Sequence, residues 1–92
     1  MNQRQAIQAI SNREHFIASA LSGHPGAPNG EGKLDPQEIA QLRADQDAID
    51  YTVLSYWTPI AWHTTNGWYH VAQRFSRTTS CHQSKVRQAV AR

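Results

Sequence analysis

The sequence predicts a single α+β domain in which a β-hairpin packs against helices. Two runs rich in β-branched and aromatic residues, about 52–63 and 68–75, flank the dipeptide Asn66-Gly67. Asn-Gly is a strong hairpin signal, because a type I′ turn needs positive φ at both central positions. A two-stranded sheet is marginally stable alone, so helices are expected to cover it. The segments with helix start signals and apolar residues at helical spacing are 12–22, 36–49 and 81–91.

The first predicted helix covers residues 12–22. Ser11 and Glu14 have the spacing of a capping box, in which a hydroxyl and a carboxylate satisfy free backbone amides. Gly23 is a natural helix stop. Residues 3–10 either extend this helix or form a separate turn. A loop rich in Gly and Pro, residues 22–32, follows and holds four of the five glycines.

The second predicted helix covers residues 36–49. Asp35 is its N-cap, Pro36 takes the first helical position, and Glu38 completes a second capping box. An apolar stripe includes Leu42 and Ile49. The acidic residues off this stripe are expected in solvent; they are Glu38, Asp45 and Asp47.

The hairpin register follows by counting outward from Asn66-Gly67. His63 then faces His70, and Trp62 faces Val71. Pro59 cannot donate to a strand ladder and marks a bulge, a break or an edge. The better core face carries Ile60, Trp62, Tyr69, Val71 and Phe75. The other face carries Trp57, Ala61, His63, His70 and Arg74.

The third predicted helix, residues 81–91, begins in the segment "TTSCHQ". Ser80 and Gln83 have capping-box spacing. At about 100° per residue, His82 falls on the apolar side, whereas Cys81 falls on the basic, solvated side. Adjacent helical side chains diverge, which argues against a Cys–His dyad. A Ser80 or Thr79 nucleophile has no carboxylate in this half of the chain to orient its base. We therefore expect no enzyme activity; a small hydrolase or thiol enzyme is the less favoured alternative.

Length and composition bound the remaining possibilities. Ninety-two residues make one domain, and a single cysteine excludes an internal disulfide, which favours a reducing compartment. No apolar run is long enough for a membrane span, and the N-terminus has no apolar signal region. We expect a soluble, cytoplasmic protein.

The charge is unevenly distributed. Residues 1–50 hold all seven acids and four basic residues, a net −3, whereas residues 51–92 hold five basic residues and no acid. This asymmetry favours an anionic partner, such as the phosphate backbone of a nucleic acid, unless the acidic helix packs beside the basic one and neutralises it. The basic residues are Arg74, Arg77, Lys85, Arg87 and Arg92. The helix start at Thr78, Thr79 and Ser80 adds hydroxyls and backbone amides that suit an anion.

Two further groups of residues are candidate sites. Trp57 and Trp68 either belong to a binding surface or stack on single-stranded nucleic acid, whereas Trp62 is assigned to the core. His63 and His70, if directly opposed, could share a zinc ion, but tetrahedral zinc needs three or four ligands and no local Cys/His signature is present. We assign no metal and no cofactor.

Several segments resemble one pattern found in small proteins of actinobacterial phages and their hosts. They are "NREHF" (12–16), "SG" (22–23), "GKL" (32–34), "IDYTVLSYWTPIAW" (49–62) and "FSRTTSCHQSKVRQAV" (75–90). The pieces Ser-Tyr-x-Thr-Pro-Ile-Ala-Trp and Thr-Thr-Ser-x-His-Gln are the most specific. Phe75 departs from the pattern, which has Tyr there, and Cys81 occupies a variable position.

The family with this pattern is a domain of unknown function, so the resemblance implies a setting and no mechanism. The setting is a phage-encoded protein that acts in the cytoplasm of a host. The positions of this chain that match the pattern's specific pieces include Thr58, Pro59, Thr78, Thr79, Ser80, His82 and Gln83. We expect a non-catalytic binding module with a host protein as partner; nucleic acid and a second copy of the chain are the alternatives.

Overall fold

A five-stranded antiparallel sheet with helices on both faces forms the centre of the molecule. The computed structural model describes residues 2–91. The helices are α1 (Gln3–Ser11), α2 (Pro36–Asp45, followed by a 3₁₀ turn over Gln46–Ala48) and α3 (Arg77–Val90). The strands are β1 (Phe16–Ala18), β2 (Leu21–Pro25), β3 (Tyr51–Ser55), β4 (Thr58–Thr64) and β5 (Gly67–His70). They lie in the sheet in chain order, which confirms the α+β class with a larger sheet than the predicted hairpin.

The helix predicted over 12–22 is wrong, because strands β1 and β2 occupy this segment. The N-terminal helix is α1, whose cap is Asn2: its side chain accepts from the Gln5 backbone, and the Gln5 side chain accepts from the Asn2 backbone. Ser11 is the last residue of α1 and caps nothing. Gly23 lies inside β2, where a Cβ would come within 2.0 Å of the Tyr51 hydroxyl. Close packing in the sheet, and not a helix end, explains this glycine.

Helix α2 begins as predicted. The Asp35 side chain accepts a hydrogen bond from the Glu38 backbone, and Pro36 is the first helical residue. Two of the three acids expected in solvent are instead bonded to the sheet, whereas Asp47 is exposed as expected. Glu38 is buried and accepts from the Tyr69 hydroxyl and the Ala72 backbone, and Asp45 accepts from the Trp62 indole. Acidic side chains therefore fasten α2 to β4, β5 and the segment that follows β5.

The strand predicted over 52–63 is two strands, β3 and β4, joined by a two-residue turn. Ser55 pairs with Thr58, which leaves Tyr56 and Trp57 as the loop. The bulge predicted near Pro59 is confirmed: Val53 pairs with Ala61 and the next pair is Leu54 with Pro59, so one residue of β4 is unpaired. That residue is Ile60.

The second hairpin lies two residues out of the predicted register. Thr64 pairs with Gly67, which makes residues 65–66 the loop, and His63 therefore faces Trp68. Strand β5 ends at His70, short of the predicted residue 75. The side-chain amide of Gln83 donates to the carbonyl oxygens of Val71 and Gln73, which replaces strand pairing in this segment.

Helix α3 begins at Arg77, four residues before the predicted start. Its N-cap is Ser76, whose hydroxyl accepts from the Thr79 backbone. Ser80 is an ordinary helical residue, and Gln83 bonds the 71–73 segment, so the capping box assigned to this pair is wrong. The inward orientation of His82 and the exposure of Cys81 are confirmed.

Both faces of the sheet are buried, whereas one face was expected to form the core. Helices α1 and α3 cover one face, in a cluster that includes Ile10, Val53, Ala61 and Val86. Helix α2 covers part of the other face, in a cluster with Trp62 at its centre. Trp62 is fully buried, which confirms its assignment to the core. Three other residues of the predicted core face also pack in this second cluster: Tyr69, Val71 and Phe75. Ile60, the remaining residue of that face, packs in the first cluster.

The acidic helix α2 and the basic helix α3 lie on opposite faces of the sheet. The idea that α2 packs beside α3 and neutralises it is therefore wrong. Among residues 2–91, no helix is both long enough and apolar enough to cross a membrane.

Candidate functional site

The turn between β3 and β4 exposes two aromatic side chains. Trp57 is 75% exposed and Tyr56 is 57% exposed, and the large apolar residue Ile17, 62% exposed, lies nearby on β1. Both turn residues have positive φ, 50° at Tyr56 and 66° at Trp57, the backbone of a type I′ turn. Bulky residues in this left-handed region are rare, and such strain concentrates at functional sites. We refer to Tyr56 and Trp57 as the aromatic turn.

Backbone contacts hold the aromatic turn from two sides. The Tyr56 amide donates to the Ala20 carbonyl oxygen at 2.9 Å, which joins this turn to the β1–β2 turn. The Thr58 hydroxyl accepts from the Lys33 amide at 3.0 Å. Gly32 has φ 55°, and a Cβ there would meet the Thr58 Cα at 2.6 Å, so this close approach requires glycine.

A cluster of buried polar side chains lies beneath the turn. Ser55 Oγ is 2.7 Å from His82 Nδ1 and 3.0 Å from Thr79 Oγ1, which ties the end of β3 to helix α3. Burial lowers the pKa of His82, and the Lys85 ammonium lowers it further, so the ring is neutral at pH 7. The His82 ring also lies 6.3 Å from the ring of Tyr56.

The Ser55–His82 distance is that of a nucleophile and its base. However, Ser55 is only 1% exposed, and its oxygen already bonds both neighbours. Within the described part of the chain, no carboxylate is hydrogen-bonded to His82. The Asp or Glu that orients the histidine of a catalytic triad therefore has no counterpart among these residues. These contacts serve to hold α3 and the aromatic turn in place.

Three clefts meet at the aromatic turn. The smallest, about 140 Å³, lies between Ile17 and Trp57. A second, about 540 Å³, runs from Trp57 to the loop that contains Pro28. The third, about 310 Å³, lies on the Tyr56 side and includes Lys33. The aromatic turn therefore lines all three clefts. Ligand-binding sites are usually concave, so this is a plausible place for one.

The second candidate tryptophan is placed differently. Trp68 lies on β5 opposite His63, at the far end of β4 from the aromatic turn. It is half-buried, meets the Tyr51 ring edge-on at 6.0 Å, and stacks with His70 at 6.4 Å. Trp57 and Trp68 therefore do not share a surface.

The basic residues of the second half do not form one stripe on α3. Lys85 and Arg87 are two positions apart, about 200° around the helix. Arg87 lies on the β5 side, where burial lowers the pKa of His70 and the Arg87 charge lowers it further. Arg74 precedes the helix and Arg77 begins it, both exposed. Arg92 lies outside the described residues.

The hydroxyls at the start of α3 also diverge. Thr78 and Ser80 are exposed, whereas Thr79 is buried and bonded to Ser55 and Ser76. The convergent anion cradle predicted here is therefore incomplete, because Thr79 points into the core.

The expected opposition of His63 and His70 is wrong. His70 pairs with Ala61, and His63 Nδ1 lies 2.8 Å from the Asp50 carboxylate. Among the residues described, no three His, Cys, Asp or Glu side chains are grouped closely enough to hold a metal ion.

Sequence reasoning missed Tyr56, Ile17, Ser55 and Lys33 as parts of the site. The predicted strand over 52–63, "TVLSYWTPIAWH", has twelve residues, which exceeds the usual strand length of about five or six. That length was the available signal for a turn inside it. Ile17 was hidden by the incorrect helix.

Comparison with known proteins gives a family and no function. Residues 6–91 match a family described as "Family of unknown function (DUF8033)". No curated protein and no solved structure matches the chain.

Proposed function

The chain belongs to this family of unknown function, and we propose that it is a small phage-encoded binding module that engages a host protein in the cytoplasm without catalysis. The phage setting comes from the sequence resemblance. The observation that carries the proposal is the aromatic turn, in which Trp57 is 75% exposed on a strained backbone. Exposed tryptophans dominate the binding energy of many protein interfaces.

The surroundings of the turn support recognition of a preformed surface. Hydrogen bonds from Tyr56 and to Thr58 hold the backbone, so little conformational entropy is lost when a partner binds. Ile17, Tyr56 and Trp57 together expose apolar area on the order of 400 Å², the range of functional patches on small proteins.

Nucleic-acid binding has weaker support. A groove for a phosphate backbone needs cations that converge along one path. In this chain Lys85 and Arg87 point to different sides of α3, and Trp68 lies away from Trp57. A protein partner therefore accounts better for the placement of the exposed aromatic residues.

The test is capture of host proteins by the tagged chain, in wild-type, Trp57→Ser and Trp68→Phe forms, with and without nuclease. We expect one host protein to be retained by wild type and Trp68→Phe and lost with Trp57→Ser. Loss of a central tryptophan should weaken affinity by about 30-fold or more, which corresponds to about 2 kcal/mol. Equal retention by all three forms, or release by nuclease, would refute the proposal.

A further inference from the structure

Two of the five histidines in the chain lie side by side where β1 begins. Phe16 pairs with Gly23, so His15 and His24, one step further along the same two chains, stand opposite each other. Their ring centroids are 5.0 Å apart. Sequence reasoning did not bring them together, because it predicts a helix over 12–22 and a loop over 22–32. The strand pairing that replaces that helix creates the pair.

The other three histidines are engaged elsewhere. His82 is buried and its Nδ1 lies 2.7 Å from the Ser55 hydroxyl. His63 Nδ1 lies 2.8 Å from the Asp50 carboxylate, and His70 stacks on the tryptophan of β5. Among the described residues, two imidazole rings therefore meet only at the pair formed by residues 15 and 24.

The separation of the two rings is that of imidazoles that share a metal ion. Zinc lies about 2.0–2.1 Å from each histidine nitrogen that binds it, so two rings at neighbouring positions of one ion have centroids about 4.5–5.2 Å apart. The observed 5.0 Å falls in this range. The ring planes are inclined by 69°, so the pair is not stacked face to face. A small closing movement of one exposed ring is all that chelation requires.

A buried serine orients His24. The Ser22 hydroxyl, two residues earlier on the same face of β2, lies 2.9 Å from His24 Nε2. Histidine ligands in metal sites usually bond their second ring nitrogen in this way, which fixes the ring and its tautomer. No other hydrogen bond within the described part of the chain involves the ring of His24 or of the exposed His15. His24 Nδ1 and either nitrogen of His15 are therefore available to a ligand.

The backbone around the pair is held in place. The Glu14 amide donates to the Ala9 carbonyl oxygen at 2.8 Å, and the Tyr51 hydroxyl donates to the Glu14 carbonyl oxygen at 2.6 Å. These bonds fix the two peptide groups that precede His15. His24 lies within β2, which pairs with β3. Little backbone entropy is therefore lost when the two rings bind one ion.

The chemistry of the pair decides the class of ion. Among residues 2–91, no third His, Cys, Asp or Glu joins it closely enough to complete a set of three ligands. Imidazole suits Ni²⁺, Cu²⁺ and Zn²⁺, whereas Mg²⁺ and Ca²⁺ require oxygen ligands. Two protein ligands leave the remaining coordination positions to water, so the ion is exchangeable.

We propose that His15 and His24 form a binding site for one divalent transition-metal ion, held by one imidazole nitrogen of each residue and completed by water. This inference does not rest on the proposed function, since neither ligand belongs to the aromatic turn.

The probe is Ni²⁺, titrated by calorimetry into the untagged chain with Cys81→Ser, which removes the exposed thiol as a competing ligand. We expect one ion per chain. Affinity should fall about tenfold or more with His15→Gln and with His24→Gln, because the loss of a ligand costs at least as much as the loss of its hydrogen-bond partner. His63→Gln is the matched control and should bind Ni²⁺ as tightly as the parent chain.

A second measurement needs no histidine variant and so does not depend on their folding. Ni²⁺ is paramagnetic, and small amounts of it should broaden the ring proton signals of His15 and His24 before those of the other three histidines. The inference is overturned if the parent chain binds Ni²⁺ with a Kd above about 1 mM. It is also overturned if the His15 and His24 variants bind as tightly as the parent, if His63→Gln loses as much affinity as they do, or if the broadening spares the pair.

Discussion

At the scale of single residues, the aromatic turn lowers the stability of the fold, and its two side chains remain exposed to solvent. Tyr56 and Trp57 both occupy the left-handed backbone region, which costs roughly 1–2 kcal/mol per residue for side chains that have a Cβ. Asn-Gly would adopt the same turn without this cost. Selection for stability alone does not explain two exposed aromatic residues at these positions.

Replacement of the aromatic turn by Tyr56→Asn and Trp57→Gly should therefore stabilise the fold. We expect the free energy of unfolding, measured by urea denaturation, to rise by about 1–3 kcal/mol while capture of the partner is lost. The matched control is Thr65→Asn with Asn66→Gly in the two-residue turn between β4 and β5, where neither φ is positive and no gain is expected. A less stable turn variant would mean that the contact between Tyr56 and His82 outweighs the backbone strain.

The cluster of Ser55, Thr79 and His82 shows that polar residues adjacent in the sequence need not belong to the same site. Thr78, Thr79 and Ser80 are adjacent, yet only Thr79 faces the core. Its partner Ser55 is 24 positions away in the chain. Sequence reasoning oriented His82 correctly from helical phase, but the residue it bonds could not be found without the packing of α3 on β3.

At the scale of elements, the start of α3 depends on the side chain at one position. Ser76 accepts from the Thr79 amide and also donates to the Thr79 hydroxyl, whereas Ser80 lies inside the helix. Two serines four residues apart therefore have different structural roles. Only the first satisfies a backbone group left free at a helix end.

Ser76→Ala should lower the free energy of unfolding by about 1 kcal/mol, the usual cost of losing an N-cap. Ser80→Ala is the matched comparison and should change it by less than about 0.5 kcal/mol, because the site is exposed and alanine is a good helix former. Urea denaturation of both variants measures the difference. A larger loss from Ser80→Ala would place the helix start at the predicted position and contradict the observed one.

At the scale of the whole molecule, stability should decline on both sides of neutral pH. Burial is the main cause of a lowered pKa at His24, His70 and His82, relative to the ordinary 6.5. Burial, with a hydrogen bond to Glu38, raises the pKa of Tyr69 to about 12 from 10.0, and burial also raises that of Tyr51. The folded chain is therefore most stable when these histidines are neutral and these tyrosines are protonated.

The direction of each change follows from proton linkage. As pH falls below 6.5, the histidines of the unfolded chain bind protons, whereas the same histidines in the folded chain stay neutral to lower pH. The unfolded state is therefore favoured, and stability decreases. As pH rises above 10, the unfolded chain loses tyrosine protons that the folded chain retains, so stability again decreases. Urea midpoints at constant ionic strength should show a plateau between about pH 7 and pH 9. A midpoint that increases as pH falls from 6.5 would contradict this account.

The sequence by itself determined the features that rest on local chemistry. Helix α2 begins at Asp35 and Pro36, Pro59 stands at a bulge, Trp62 lies in the core, and the amphipathic phase of α3 turns His82 inward. Capping, the missing amide of proline and helical periodicity act within a few residues, so they can be read from a short stretch of sequence.

Only the tertiary structure decided the rest. Residues 16–25 became strands because pairing with β3 outweighed their helix signals, and the β5 register shifted while Gln83 bonded the segment beyond it. The same pairing brought Ile17 beside Trp57 and left Ser22 between larger neighbours. Strand pairing and burial depend on contacts between distant residues, whose combined free energy exceeds the small local preferences that a sequence displays.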